Sequence, residues 1–171
     1  MNQNCGVKNL TIQNSTDTTG GLDITRAYNF KGENILVRSC TSDGINVNLV
    51  FNGFFMNIES SYNSGNGWDI DVPARATFLN CSAYKNGSYG FDYLGSVLAD
   101  TFITCVADGN TTGGFLIATQ GGRFIACRAF FNGTHGFNVT GTNVSIMGCL
   151  AKENSRGFTI SSLAENSIFA F

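Results

Sequence analysis

Seven times along the chain a glycine is followed by a large apolar residue, a variable residue and a second apolar residue. The units are Gly21-Leu22-Asp23-Ile24, Gly44-Ile45-Asn46-Val47, Gly67-Trp68-Asp69-Ile70 and Gly90-Phe91-Asp92-Tyr93, followed by Gly114-Phe115-Leu116-Ile117, Gly136-Phe137-Asn138-Val139 and Gly157-Phe158-Thr159-Ile160. Successive glycines are 21 to 24 residues apart. Apolar and variable positions alternate with a period of two, which predicts strands rather than helices. A repeat of this length is too short for a strand–helix–strand unit, which needs roughly 30 residues. It fits one coil of two or three short strands joined by turns.

A second strand precedes each glycine. Cys81-Ser82-Ala83, Cys105-Val106-Ala107, Cys127-Arg128-Ala129 and Cys149-Leu150-Ala151 repeat the pattern Cys-x-Ala. Distance to the next glycine assigns Ile12 and Ile58 to the cysteine column, and Cys40 joins it across a shorter turn. Further on comes a polar turn residue: Asp17, Asn63, Asn86, Asn110, Asn132 and Asn154. The glycines are expected at positive φ, where the chain turns into the strand. The Asn column suits a residue that tolerates the left-handed region, with amides hydrogen-bonding from coil to coil.

The pattern therefore predicts an all-β chain, a single-stranded right-handed parallel β-helix of about seven coils. The coils span residues 6–161 of a single domain, 1–171, and 162–171 form a C-terminal tail or the start of a further region. Stacked at about 4.8 Å, seven coils make a rod about 35 Å long. Trp68, Phe91, Phe115, Phe137 and Phe158 should stack as one inward ladder. Ile24, Val47, Ile70, Tyr93, Ile117, Val139 and Ile160 should form the next. The column Phe55, Phe78, Phe102, Phe124 and Ile146 leaves two arrangements open. Strict alternation puts Leu79, Cys81 and Ala83 inside and Phe78 outside, which would make an aromatic stripe for another chain or for sugar rings. A bend at a corner would instead turn both neighbours inward.

Composition narrows the function classes. Charged residues make up 13% of the chain, and Lys+Arg 10 nearly balances Asp+Glu 12, so no basic excess points to nucleic acid. No stretch is long and apolar enough to span a membrane. The start, Met1-Asn2-Gln3-Asn4-Cys5-Gly6, has neither the basic nor the apolar region of a signal peptide. The apolar ending Ile168-Phe169-Ala170-Phe171 suggests a fragment of a longer chain or a subunit that packs on others. Four of the six cysteines fall in one inward column of parallel strands, where neighbours point the same way. A reduced core ladder is expected rather than disulfides. There is no Cys-x-x-Cys pair, and the single histidine, His135, lies in a turn, so no metal site of that kind is expected.

Candidate chemistry lies on the outward column Asp23, Asn46, Asp69, Asp92, Leu116, Asn138 and Thr159. Asp69 and Asp92 stand on adjacent coils, about 4.8 Å apart at Cα, and Asp71 follows two residues after Asp69. Two carboxylates about 5 Å apart could act as acid and nucleophile of a retaining glycosidase. They could also contribute to a Ca²⁺ site, which wants several oxygen ligands. The plain alternative is a solvated polar strip. The candidate catalytic residues are thus Asp69 and Asp92. The candidate carbohydrate-binding set is Asp23, Asn46, Asp69, Asp71, Asp92 and Asn138.

The repeat, in stretches such as Cys81-Ser82-Ala83-Tyr84-Lys85-Asn86-Gly87-Ser88-Tyr89-Gly90-Phe91-Asp92, resembles that of right-handed parallel β-helix proteins. These include pectate lyases, other polysaccharide lyases and hydrolases, mannuronan epimerases, and phage tailspikes and tail appendages. The resemblance covers roughly residues 6–161. It implies a polysaccharide-recognising module of a tail appendage, a tailspike or a similar surface-binding protein. Its alternatives are a glycoside hydrolase or polysaccharide lyase, and a structural spacer in a fibre. It further implies a polysaccharide partner, a homo-oligomer (a trimer) or larger assembly, and an extracellular or virion-associated setting. Some calcium-dependent pectate lyases carry Asp-Asp-Gly-Phe-Asp in this unit. Here the matching residues are Ser88-Tyr89-Gly90-Phe91-Asp92 and Asn66-Gly67-Trp68-Asp69, so only Asp92 and Asp69 carry over. A lyase also needs a base, usually Arg or Lys, and Arg75 and Lys85 lie in neighbouring turns.

Overall fold

The computed structural model describes residues 2–95, 100–161 and 167–170. Every strand pairing among them is parallel. Each strand pairs with strands one coil before and after it, as Phe91 does with Trp68 and Phe115. The result is a solenoid with two long walls, a twelve-stranded sheet and a seven-stranded sheet. The seven Gly-apolar-x-apolar units form the smaller wall, from Leu22–Thr25 to Arg156–Ile160. The Cys-x-Ala strands lie in the larger one. No described helix is long and apolar enough to cross a membrane.

Like side chains stack along the interior. The Trp68–Phe91 ring centroids are 5.8 Å apart, Phe91–Phe115 4.8 Å, Phe115–Phe137 4.7 Å and Phe137–Phe158 4.9 Å. Phe55, Phe78, Phe102 and Phe124 form a second internal ladder, spaced 4.5 to 4.8 Å. These rings are fully buried, so this column faces the core and makes no outer stripe. The cause is a corner in left-handed conformation at Asn57, Asn80, Thr104, Ala126 and Gly148, with φ between 51° and 58°. One such residue interrupts the pleat, so Phe78 and Cys81 both point inward. Leu79, which strict alternation puts inside, is only half-buried. The two ladders meet edge to face, as Phe91 and Phe102 do at 6.2 Å and 84°. Each favourable aromatic pair adds about 0.5–1.5 kcal/mol beyond the burial of its area.

Register moves two residues, Ile12 and Cys40, from their expected columns, and keeps Ile58 in its own. Ile58 pairs with Ile35, and Ile35 with Leu10, so these lead into the cysteine column. Ile12 instead pairs with Val37, two positions along. Cys40 belongs with the asparagines, because its N–H donates to Asn63 Oδ1 at 3.0 Å just as the Asn63 N–H donates to Asn86 Oδ1.

The asparagine column is a buried ladder and not a left-handed one. None of Asn63, Asn86, Asn110, Asn132 and Asn154 has positive φ; the residue before each does, at Tyr62, Lys85, Gly109, Phe131 and Glu153. Each side chain instead joins coils through its amide. Asp17 stays out of this ladder, exposed and bonded to Thr19. The repeat glycines also lack positive φ. Gly90 is glycine because a Cβ there would come within 2.8 Å of Gly114 O, Ala107 Cβ and Asn110 Nδ2. Neighbouring coils approach too closely for a side chain.

All six cysteines are free thiols. The Sγ atoms of Cys81, Cys105, Cys127 and Cys149 donate to the carbonyls of Phe55, Phe78, Phe102 and Phe124 at 3.4 to 3.5 Å. Burial pushes the Cys105 thiol well up. The column is a reduced apolar ladder, as its spacing predicts.

Candidate functional site

The seven-stranded wall carries the outward column in the expected register. Asp23, Asn46, Asp69, Asp92, Leu116, Asn138 and Thr159 are paired in that order. A parallel column two residues on contains Thr25, Asn48, Asp71 and Leu94. On the other flank, one residue before each repeat glycine, stand Asp43, Asn66 and Tyr89.

These columns bring four carboxylates together over three coils: Asp43, Asp69, Asp71 and Asp92. Asn66 ties the group. Its backbone N–H donates to Asp43 Oδ1 at 2.5 Å, and its side-chain amide donates to Asp92 Oδ2 at 3.3 Å. The Tyr89 N–H in turn donates to Asn66 Oδ1 at 3.0 Å. The other oxygen of Asp92, Oδ1, is buried and has no hydrogen-bond partner.

The electrostatics follow from half-burial of like charges. Asp69 is pushed up to about 6, first by desolvation and then by the charges of Asp43, Asp92 and Asp71. Desolvation also raises Asp92, partly offset by the Asn66 amide. It raises Asp43, offset by the Asn66 N–H. Asp69 therefore holds its proton into mildly acidic solution, beside carboxylates that do not lend it a counter-charge.

Not every candidate joins this group. Asp23 lies two coils from Asp69, exposed and accepting from Thr25 Oγ1 at 2.6 Å. Asn138 is separated from Asp92 by Leu116, so the polar column has an apolar break. Lys85 is turned elsewhere: its ammonium lies over the Tyr62 and Tyr84 rings, 5.8 and 5.0 Å from their centroids. Arg75 is exposed at a left-handed corner beyond Asp71. Neither makes an ion pair; the ion pair among the described residues is Lys152–Glu153 at 3.2 Å. Among the described residues no group of three or more Asp, Glu, His or Cys is placed to hold a metal ion. Asp43 escaped the sequence reading because it stands outside the Gly-apolar-x-apolar unit. Its signal is an offset shared with Asn66, one residue before the glycine.

No protein-family model and no curated protein matches the chain. Solved structures that share its shape include two epimerases. The periplasmic alginate epimerase AlgG, crystallised as a double mutant, matches 98% of this chain and 45% of its own, with a TM-score of 0.69 and 13% identity. The A-module of mannuronan C-5 epimerase AlgE4 from Azotobacter vinelandii matches 92% of this chain and 57% of its own, with a TM-score of 0.60 and 13% identity. The fold is a right-handed parallel β-helix. This β-helix spans about half the length of either structure it matches. At 13% identity the likeness speaks for the β-helix itself.

Proposed function

We propose that this chain is a polysaccharide-binding β-helix module that lays a glycan along its seven-stranded wall. The glycan would cross Asn46, Asp69, Asp71 and Asp92, with Asp23 and Asn138 as outlying contacts. The observation that carries this reading is the acidic group itself: four half-buried carboxylates gathered over three coils of the outer wall. Sugar hydroxyls are donors that carboxylate oxygens accept. Supporting the reading, two structures of the same shape are named as epimerases of alginate and mannuronan, and one of them as periplasmic. An extracellular or surface-bound setting is proposed for this chain on the same ground.

The raised pKa of Asp69 favours a second, enzymatic reading. A carboxyl near pH 6 can donate a proton to a leaving oxygen. Asp92 on the adjacent coil, about 4.8 Å away at Cα, would be the nucleophile of a retaining hydrolase.

The test measures binding, new reducing ends and absorbance at 235 nm on a panel of bacterial and plant polysaccharides at pH 5 and pH 7. At least one neutral glycan should bind, and Asp69→Asn/Asp92→Asn should weaken it by about tenfold or more. Reducing ends without absorbance at 235 nm establish the hydrolase. Binding without product removes the enzymatic reading, and a panel with no ligand removes the proposal.

A further inference from the structure

A second surface, on the twelve-stranded wall, has its own chemistry. Two outward columns run there in register. One contains Glu59, Ser82 and Val106, and the other Tyr84 and Asp108. At the neighbouring corner stands Tyr62, 53% exposed and in left-handed conformation with φ 56°. Together these residues line an open groove of about 420 Å³, within the range of roughly 300–1,000 Å³ common for small-molecule clefts.

The two tyrosines are held in place rather than splayed into solvent. Their rings meet edge to face, 5.6 Å between centroids and 78° between planes. The Lys85 ammonium sits over both rings and takes no part in lining the groove. The corner itself favours this arrangement. One coil further along the column the position passes to Lys85, and the next coil has Gly109, where a Cβ would press on Lys85 Cγ at 3.2 Å. Removing that side chain lets Lys85 lie against the rings.

We infer that this groove is a saccharide-binding subsite, separate from the acidic group on the other wall, and that it takes neutral or amino sugars. Rigid aromatic side chains offer apolar faces to the C–H side of a pyranose. Glu59, Asp108 and Ser82 supply acceptors for hydroxyl or ammonium donors around them. Glu59 and Asp108 repel a uronate carboxylate placed directly against them. The inference does not depend on the acidic group, so either site can fail without the other.

The test uses the full chain labelled with 3-fluorotyrosine and hexamers of β-1,4-linked glucose, N-acetylglucosamine, glucosamine and galacturonate. The ¹⁹F signals of Tyr62 and Tyr84, assigned with single Phe variants, should shift with at least one neutral or amino-sugar hexamer. The shift should persist in Asp69→Asn/Asp92→Asn, whose substitutions lie on the opposite wall. Tyr62→Ala/Tyr84→Ala should lose at least tenfold in affinity, whereas Tyr62→Phe/Tyr84→Phe should stay within threefold. Both residues are at the surface, and an unchanged melting temperature shows that the alanine variant folds. Signals that no hexamer moves, a response to galacturonate alone, or affinity untouched by the alanine pair would overturn the inference.

Discussion

Two of the asparagine columns along this rod do different work. At one corner Asn9, Asn34, Asn57 and Asn80 are exposed, with φ between 51° and 54°. Adjacent members are joined by one side-chain bond, the Nδ2 of Asn34, Asn57 and Asn80 each donating to the Oδ1 of the asparagine one coil before, at 2.9 to 3.3 Å. At the other corner Asn63, Asn86, Asn110 and Asn132 are buried with negative φ. Asn110 there makes four side-chain bonds. Its Oδ1 accepts from both the backbone and the amide of Asn86, and its Nδ2 donates to Ala83 O and Asn132 Oδ1. The first column uses asparagine for its tolerance of left-handed backbone. The second uses it for an amide that satisfies buried groups otherwise left bare. The difference explains why the exposed column gives way to Thr104, Ala126 and Gly148 while the buried one keeps its amides to the end of the rod.

The contrast can be broken most severely at Asn110. Asn110→Ala leaves four buried groups short of a partner, and at about 1 kcal/mol each it should cost about 4 kcal/mol in chemical denaturation. A cost below about 1 kcal/mol would show that the ladder is not what holds the corner. Gly90→Ala attacks the same ladder from the side, since its Cβ would meet Asn110 Nδ2 and Gly114 O at 2.8 Å. It should cost about 3 kcal/mol.

Asp69→Asn tests the outer wall. The folded carboxyl titrates near 6, above its ordinary 3.8, so the folded state binds the proton more tightly than the unfolded one. Stability from this group is therefore full below about pH 4 and is lost as pH rises through 6. A shift of this size corresponds to about 3 kcal/mol in full, which half-exposure to solvent reduces to about 1 kcal/mol. Asn should gain that amount at pH 7 and flatten the pH profile of melting. An unchanged profile would deny the carboxyl its shifted titration.

The smallest effects belong to the exposed corner. Asn57→Ala should lose about 0.5 kcal/mol, and Ala126→Asn should gain about as much, because only the left-handed backbone and solvent-exposed amide bonds are at stake. Equal sensitivity at Asn57 and Asn110 would erase the distinction between the columns.

The spacing of seven glycines led directly to parallel coils, and the alternation within each unit led to the Trp68–Phe158 ladder and the outward order from Asp23 to Thr159. The free cysteine ladder was equally readable. The Phe55 column was not, since one left-handed residue per coil reverses the facing of everything before it. A left-handed corner leaves a faint trace when Asn80, Thr104, Ala126 and Gly148 all fill it. Asp43 and Tyr62 were missed for a related reason: each lies in a turn, where position depends on the neighbouring coil.

Local pattern thus sufficed for whatever repeats along the strand: coil length, pairing partners and which columns stack. Folding alone decided how columns from different parts of a coil meet. It set Asp43 beside Asp69 and Asp92, turned Lys85 toward the tyrosines rather than the acids, and gave the repeat glycines a steric role in place of a conformational one. The physical reason is distance along the chain. Strand alternation is written in adjacent residues, whereas desolvation, close approach and amide ladders arise between residues 22 to 24 positions apart, where only the packed coils bring them together.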